Sequence, residues 1–411
     1  MAEANYIGLE LNDREVRLCT YNRITKEADT VMIRAGGSRA ESPAHMAFVK
    51  ETGQWKYGIE ADYFAAQKGC TLFDGILEHC VSGQDFEDNG KAYPCKDVVG
   101  ELIKQALIYA GIKDPAGQVR VFVMTVPSVN RTLASVMESA FEYAGLKDGQ
   151  AYLQSFDESF FAHTFFQKQE IYSRDVGLFC FNCDEVKYSR LHLDQRTKPA
   201  IVTVGDNAYD ILPAEEKSRD ACFEAFIKEN TSDHEFSSFF LVGNGFNRKW
   251  AKESLKLLCK SQRKVFYGNN LFAKGACYSA FEKANPHQLK NRLYLGKDLV
   301  RKNIGMELMT DGISMYHPLI TAGINWFDAE NSCDILLNGD NTLVFRTSRL
   351  EDGKRANYSM ALEGLPERPP KTTRLHIELR FENAEKCVVT VKDLGFGELF
   401  PSSGKTWTDQ L

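Results

Sequence analysis

The chain has 411 residues, 43% of them hydrophobic, with 50 basic against 56 acidic side chains and a formal net charge of −6. That composition excludes a disordered chain, and the mild, mixed charge carries no electrostatic footprint for nucleic acid. No apolar run approaches the roughly 20 residues needed to span a bilayer, the opening MAEANYIGLEL lacks a signal-peptide pattern, and eleven scattered cysteines do not form a disulfide framework. The expectation is a cytoplasmic protein of two or three domains, with neither nucleic acid nor membrane as a partner.

YIGLELNDREVRLCTYN reads as a hairpin turning at Asn12–Arg14, and ESPAHMAFVKETGQWKYGIEA as a second one turning at Thr52–Gly53. Lys96 to Gly111 carries the apolar stripe of an amphipathic helix. VFVMTVP is then a buried strand rich in β-branched residues. Asn130 suits the cap of the helix that follows, and Gly145 suits its C-terminal stop. AYLQSF returns as a strand, and Asp157, Glu158 and Ser159 open the next helix, where carboxylates complement the helix dipole. Two strands joined through a helix make a parallel crossover unit, with strand ends available for a site.

The second stretch follows the same grammar. DVGLFCFNCDEVKYSRLHLDQ and IVTVGDNAYDIL are strands, SSFFLVGNGFNRKWAKESLKLL is strand, glycine turn and helix, and KVFYGNNLFAKGACYSAFE is strand and helix. Beyond the polar connector ANPHQLKNRLYLGKDLVRKN, short strands alternate with period two. Turn signals at Asp311–Gly312, Asn338–Gly339 and Asp352–Gly353 separate them, which predicts an all-β sandwich. Cys180 and Cys183 form a lone C-x-x-C on a strand and its turn, without the second pair a zinc site needs. The phenylalanines 160, 161, 165 and 166 crowd one helix, a core face by default. No internal repeat is detectable at solenoid periods.

The order strand, T-V-P, helix, A-G-L, strand, D-E, helix resembles the DnaK-type heat-shock chaperones of the actin-like ATPase superfamily. The resemblance extends to the "L-V-G" turn at Gly243 and Gly245 with Arg248 beyond it. It continues through "I-G-M-E-L", "H-P-L-I", L-P-E-R-P-P and V-T-V-K-D-L-G in the C-terminal third. It implies an α/β fold: an actin-like two-lobe nucleotide-binding domain followed by a β-sandwich. Lobe I would cover 1–172, a reduced lobe II 173–285, a linker 286–302 and a substrate-binding-like sandwich 303–411. The helical lid that follows in those chaperones has no counterpart in this sequence. The resemblance makes Gly8, Glu10, Gly205, Gly243, Gly245 and Arg248 the candidates for ATP and magnesium, and Glu158 the candidate catalytic residue.

Both phosphate loops depart from the family pattern. Glu10 stands at the family's aspartate, and the turn Asn12–Asp13–Arg14 has no glycine and an added negative charge. In the second loop Cys180 stands at the aspartate, while Asn182, Cys183 and Asp184 replace the glycines. Phosphoryl transfer depends almost wholly on positioning and electrostatics, so these changes predict little or no ATPase activity. Between strands, DILPAEEKSRDACFEAFIKEN leaves room for little more than one helix where the family inserts a subdomain, so the cleft is expected to be open on one side. The expected function is a chaperone-related binding protein whose β-domain engages a protein or extended peptide. The alternatives are an active ATP-dependent chaperone and an assembly protein using actin-like lobes.

Overall fold

The computed structural model describes residues 5–32, 40–66, 69–310, 312–350 and 353–411. Asp311 and Asp352, expected at turns, lie outside them. The chain is mixed α/β and divides into two compact units, Met1–Gly296 and Lys297–Leu411.

In the first unit, β1 (Asn5–Leu11), β2 (Glu15–Asn22) and β3 (Glu27–Thr30) form an antiparallel meander. An insertion follows. It holds β4 (Ser42–Pro43), which pairs with β2, then β5 (Met46–Val49), β6 (Gln54–Tyr57), helix α1 (Ile59–Ala65) and β7 (Cys70–Phe73), the last three strands making a small sheet of their own. α2 (Ile76–Ser82) and the ribbon of β8 (Phe86–Asp88) and β9 (Lys91–Tyr93) complete it. The chain returns through α3 (Cys95–Tyr109) and the short α4 (Pro115–Gln118) to β10 (Val119–Val126), α5 (Arg131–Tyr143), β11 (Ala151–Ser155) and α6 (Phe156–Phe165). β10 lies parallel to β1 and β11 parallel to β10, so the sheet runs β11-β10-β1-β2-β3. Asn130 caps α5 by accepting from the Leu133 N–H at 2.7 Å, and Ser155 caps α6 at Glu158 N.

The same order then recurs without an insertion. β12 (Asp175–Asn182), β13 (Glu185–Asp194) and β14 (Ala200–Ile211) are an antiparallel meander. α7 (Glu216–Thr231), β15 (Phe236–Gly243), α8 (Lys252–Leu258), β16 (Lys264–Tyr267) and α9 (Leu271–Ala284) follow. β15 lies parallel to β12 and β16 parallel to β15. The sheet runs β16-β15-β12-β13-β14, extended by β17 (Arg292–Tyr294), a strand inside the stretch read as a connector. α7 is the one helix the sequence leaves room for. It covers the sheet with Phe223, Phe226 and Ile227.

The inner strands β1, β10, β12 and β15 are buried on both faces, which is why they read as continuous apolar runs. The faces are covered by exchange. α6, from the first half, lays Phe160, Phe161 and Phe165 on the second sheet against Leu178, Val202 and Phe240. α9, from the second half, lays Ala276 and Ala280 on the first sheet against Tyr6, Val121 and Val123. Two glycines allow this. A Cβ at Gly8 of β1 would stand 2.2 Å from Cys277 N and 2.4 Å from Ala273 O, and one at Gly275 of α9 would stand 2.0 Å from Ser159 O. Phe166 stacks on Tyr278 at 4.4 Å between ring centroids, so the phenylalanine crowd is core.

In the second unit, β18 (Lys302–Thr310), β19 (Ile313–Ile320), β20 (Glu330–Leu336), β21 (Thr342–Arg349), β22 (Arg355–Ala361), β23 (Arg374–Phe381), β24 (Cys387–Gly395) and β25 (Thr406–Gln410) form two antiparallel four-stranded sheets. Their orders are β19-β18-β21-β22 and β20-β23-β24-β25. One core joins them, with Ile304, Phe345 and Met360 from the first sheet and Ile377, Phe381 and Val391 from the second. The stretches LPERPP and VKDLG meet in this unit. Arg368 makes a bidentate pair with the fully buried Asp393, 2.9 Å on each arm, and also donates to Pro401 O. Ser403 N and Gly395 N complete the carboxylate's partners. Burial alone would raise the Asp393 pKa; Arg368 and these N–H donors hold it below the usual range.

Candidate functional site

The β1–β2 turn and the β12–β13 turn face one another at the mouth of a cleft of about 400 Å³ in the first unit. Its lining includes the apolar side chains of Pro127, Phe156, Leu178, Val242 and Phe272. Phe156 and Phe272 stack there at 3.9 Å between ring centroids and 9° between planes. The polar side carries five carboxylates (Glu10, Asp13, Glu15, Asp157, Glu185) and three cations (Arg14, Arg17, Lys187).

Four of the N–H groups that such turns could offer an anion are already used. Asn12 Oδ1 accepts from Arg14 N at 3.0 Å and Glu15 N at 2.9 Å. Asn244 Oδ1 accepts from Cys183 N at 3.0 Å, and Asn269 Oδ1 from Gly243 N at 3.1 Å. Three asparagines thus hold four turn donors. A phosphate would have to displace these bonds and stand among carboxylates.

Glu10 is 1% exposed, and its Oε1 accepts from Arg17 Nη1 at 2.6 Å. Ala273 N donates to its other oxygen at 3.3 Å, and Arg17 is shared with Glu15. Burial pushes the Glu10 carboxyl above its usual range, against the pull of Arg17 and Ala273 N. Arg14 crosses from the first turn to the second, with Nη1 2.7 Å from Cys183 Sγ. Cys180 lines the cleft, where burial, with Glu10 adding to it, pushes its thiol up to about 12, far from the thiolate a redox pair needs. Among the described residues no group of three His, Cys, Asp or Glu side chains is arranged to hold a metal ion.

Of the residues expected from sequence, Glu10 and Gly243 line the cleft. Gly8 serves the contact between β1 and α9. Gly205 sits on β14 opposite Arg190, beside a register shift. Gly243 and Gly245 let the β15 turn approach the β12–β13 turn: a Cβ would stand 1.9 Å from Phe181 O and 2.1 Å from Cys183 O respectively. Arg248 packs on Tyr267, donating to its hydroxyl at 2.7 Å. Glu158 does not line the cleft; Asp157, one residue earlier, does, and is buried. A step of one residue turns a helix by about 100°, so the order D-E alone does not say which carboxylate faces inward.

A family model described as "Family of unknown function (DUF5716) C-terminal" matches residues 27–297. The chain belongs to the DUF5716 family. In this DUF5716 chain a second model, "Domain of unknown function (DUF8552)", matches residues 299–411, so the two meet where the compact units divide. No curated protein matches the chain.

The asparagines 12, 244 and 269 were missed by sequence reasoning. The first sits in a turn whose residues signal a local Asx contact. Asn244 and Asn269 act across 61 and 26 residues, and no local pattern announces that. Among the described residues no helix is long and apolar enough to cross a membrane.

Proposed function

We propose that residues 5–296 are an actin-like two-lobe domain, resembling that of DnaK-type chaperones, whose cleft no longer holds a magnesium triphosphate. The protein is then a chaperone-related binding protein with little or no ATPase activity, whose β unit engages an extended segment of a protein partner. The two-lobe reading is supported by the recurrence of one strand order in both sheets, each with a meander followed by two parallel strands. The loss of triphosphate is supported by one observation above all: the N–H groups of Arg14, Glu15, Cys183 and Gly243 are satisfied by Asn12, Asn244 and Asn269. The Glu10–Arg17 pair adds to this, because a carboxylate bound to a guanidinium is a poor partner for a hydrated magnesium ion.

The peptide reading is supported by β19, an edge strand of its sheet. Ile313, Met315 and Tyr316 on it, and Met309 beside it, are exposed. An extended segment can pair with such an edge while its side chains rest on these apolar groups.

Titration calorimetry of the full chain with magnesium ATP tests the first part, with no heat of binding expected and phosphate release at the rate of buffer alone. Micromolar binding with turnover would replace this reading by that of a working ATP-dependent chaperone. Fluorescence anisotropy with labelled, reduced and carboxymethylated α-lactalbumin, a permanently extended chain, tests the second. Binding is expected, and Met315→Pro should abolish it by blocking the edge. Binding untouched by that change would move the partner site elsewhere.

A further inference from the structure

We propose that the exposed ridge of residues 247–264 docks an acidic, extended segment of a partner protein, with carboxylates at every second residue. The ridge belongs to the first unit and lines no part of the cleft, so its role is independent of what the cleft holds. From Asn247 to Lys264 the chain carries seven lysines and arginines against one acid, Glu253. A net charge of −6 overall and +6 on the ridge leaves −12 for the rest of the chain. A merely solvated surface mixes the two signs, and this one does not.

The fold presents this charge outward. α8 sets Ser254 and Leu258 into the core, with Ala251 just before it, and leaves Lys252 and Lys256 exposed on one face. Lys249 stands exposed in the turn before α8, Lys260 two residues after it, and Lys264 at the start of β16, an edge strand of its sheet. Lys256 holds Glu253 at 2.6 Å. Lys249, Lys252, Lys260 and Lys264 meet no carboxylate within ion-pair distance among the described residues. Asp220, which α7 directs at the start of α8, is engaged by the N–H groups of Glu253 and Ser254 at 2.8 and 3.0 Å. The complement of such a ridge is a run of negative charge.

The kind of partner follows from spacing and from the rings nearby. Lys252 and Lys256 stand about 6 Å apart along the helix axis. Alternate residues of an extended chain stand about 6.8 Å apart, so a segment with Asp or Glu at every second position lays one carboxylate beside each ammonium. A nucleic acid would also want bare aromatic faces for its bases. Here Tyr267 carries Arg248 at 5.0 Å, Trp250 is buried beneath Arg219, and Phe266 stacks on Phe240 at 5.2 Å between centroids. The negative remainder of the chain repels a long polyanion that runs past the ridge, whereas a short acidic segment ends where the ridge ends.

Fluorescence anisotropy of the full chain with a labelled peptide of alternating glutamate and serine, about eight residues long to match the ridge, tests this against its glutamine counterpart. At low salt the glutamate peptide is expected to bind at least about tenfold more tightly. That advantage should shrink in about 0.5 M salt. The triple variant Lys249→Ala, Lys252→Ala and Lys260→Ala should lose it. A second triple variant, Lys96→Ala, Lys113→Ala and Lys147→Ala, removes the same charge from other exposed positions and should keep it. Both variants are checked for an unchanged thermal transition. Equal binding of the two peptides would overturn the proposal, as would an advantage that survives the first triple variant or is lost equally in both. Tighter binding of a thymidylate oligomer of the same length would also overturn it and give the ridge to nucleic acid.

Discussion

Replacing Arg17 by methionine isolates the charge held at the cleft floor. Glu10 is 1% exposed and would keep the Ala273 N–H and the longer bond from Asn12 Nδ2, while the methionine fills part of the vacated volume. Removing one partner of a buried pair costs about 3–5 kcal/mol. The carboxyl has one escape, which is to take up a proton, and this caps the loss. From an unfolded pKa of about 4.3 the cap is about 1.36 × (7 − 4.3), or about 3.7 kcal/mol at pH 7, and about 1 kcal/mol at pH 5. The sign is set by proton number. Without Arg17 the folded chain binds the Glu10 proton more tightly than the unfolded chain does, so stability falls as pH rises. The loss relative to the native chain should therefore grow with pH while staying below about 1 kcal/mol at pH 5 and below about 3.7 kcal/mol at pH 7, because burial already raises the Glu10 carboxyl in the native chain. Urea unfolding followed by tryptophan fluorescence at several pH values measures it, and the double variant Arg17→Met with Glu10→Gln should be flat over the same range. A loss independent of pH, or none at pH 7, would refute the account of Glu10 as a buried carboxyl neutralised by Arg17.

Gly8→Ala should cost about 1–3 kcal/mol or more, because its Cβ meets backbone atoms of Ala273 and Cys277 that no side-chain rotation can move; an unchanged unfolding midpoint would deny that α9 is seated on β1. His163, on α6 between Phe240 and Tyr278, has a buried Nδ1 without a hydrogen-bond partner among the described residues, and burial, with Lys274 adding to it, pushes its pKa down to about 3. The neutral ring's contribution is complete above the unfolded pKa near 6.5 and is lost as pH falls towards 3, by at most about 5 kcal/mol; His163→Leu should flatten that part of the acid unfolding curve. Arg368→Met should destabilise the chain by about 3–5 kcal/mol near neutral pH. The Asp393 carboxyl is held below its usual range, so the native chain loses this contribution only as pH falls below about 4, and the variant's deficit should narrow there in urea titrations.

Much of the local grammar was legible in the residues. The turn at Asn12, the cap at Asn130, the stop at Gly145 and the period-two strands of the last third all follow from short-range chemistry, and each forms as read. The strand β25 was passed over because TWTDQ is short and polar, and only its pairing with β24 makes it a strand. The recurrence of one topology in the two sheets left no repeat in the sequence. What such a fold requires is apolar residues on both faces of each strand, and many side chains meet that requirement equally well. The candidate site was the hardest to read. Gly8 and Gly245 were expected as ligand glycines, and the structure shows close backbone approaches at both, which depend on distant segments: Cys277 lies far along the chain from Gly8. Whether a turn's N–H groups are open to an anion depends likewise on asparagines brought in from other elements.

The exchange of α6 and α9 has a consequence for how the first unit can come into being. Each sheet has one face that is dry only when the other half of the chain has been made and has returned to cover it. A ribosome that has released β1 through α6 has produced a layer with an oily side still waiting for a helix more than a hundred residues away. The two halves are bound to become native together, and a break between them would leave two sticky pieces rather than two smaller proteins.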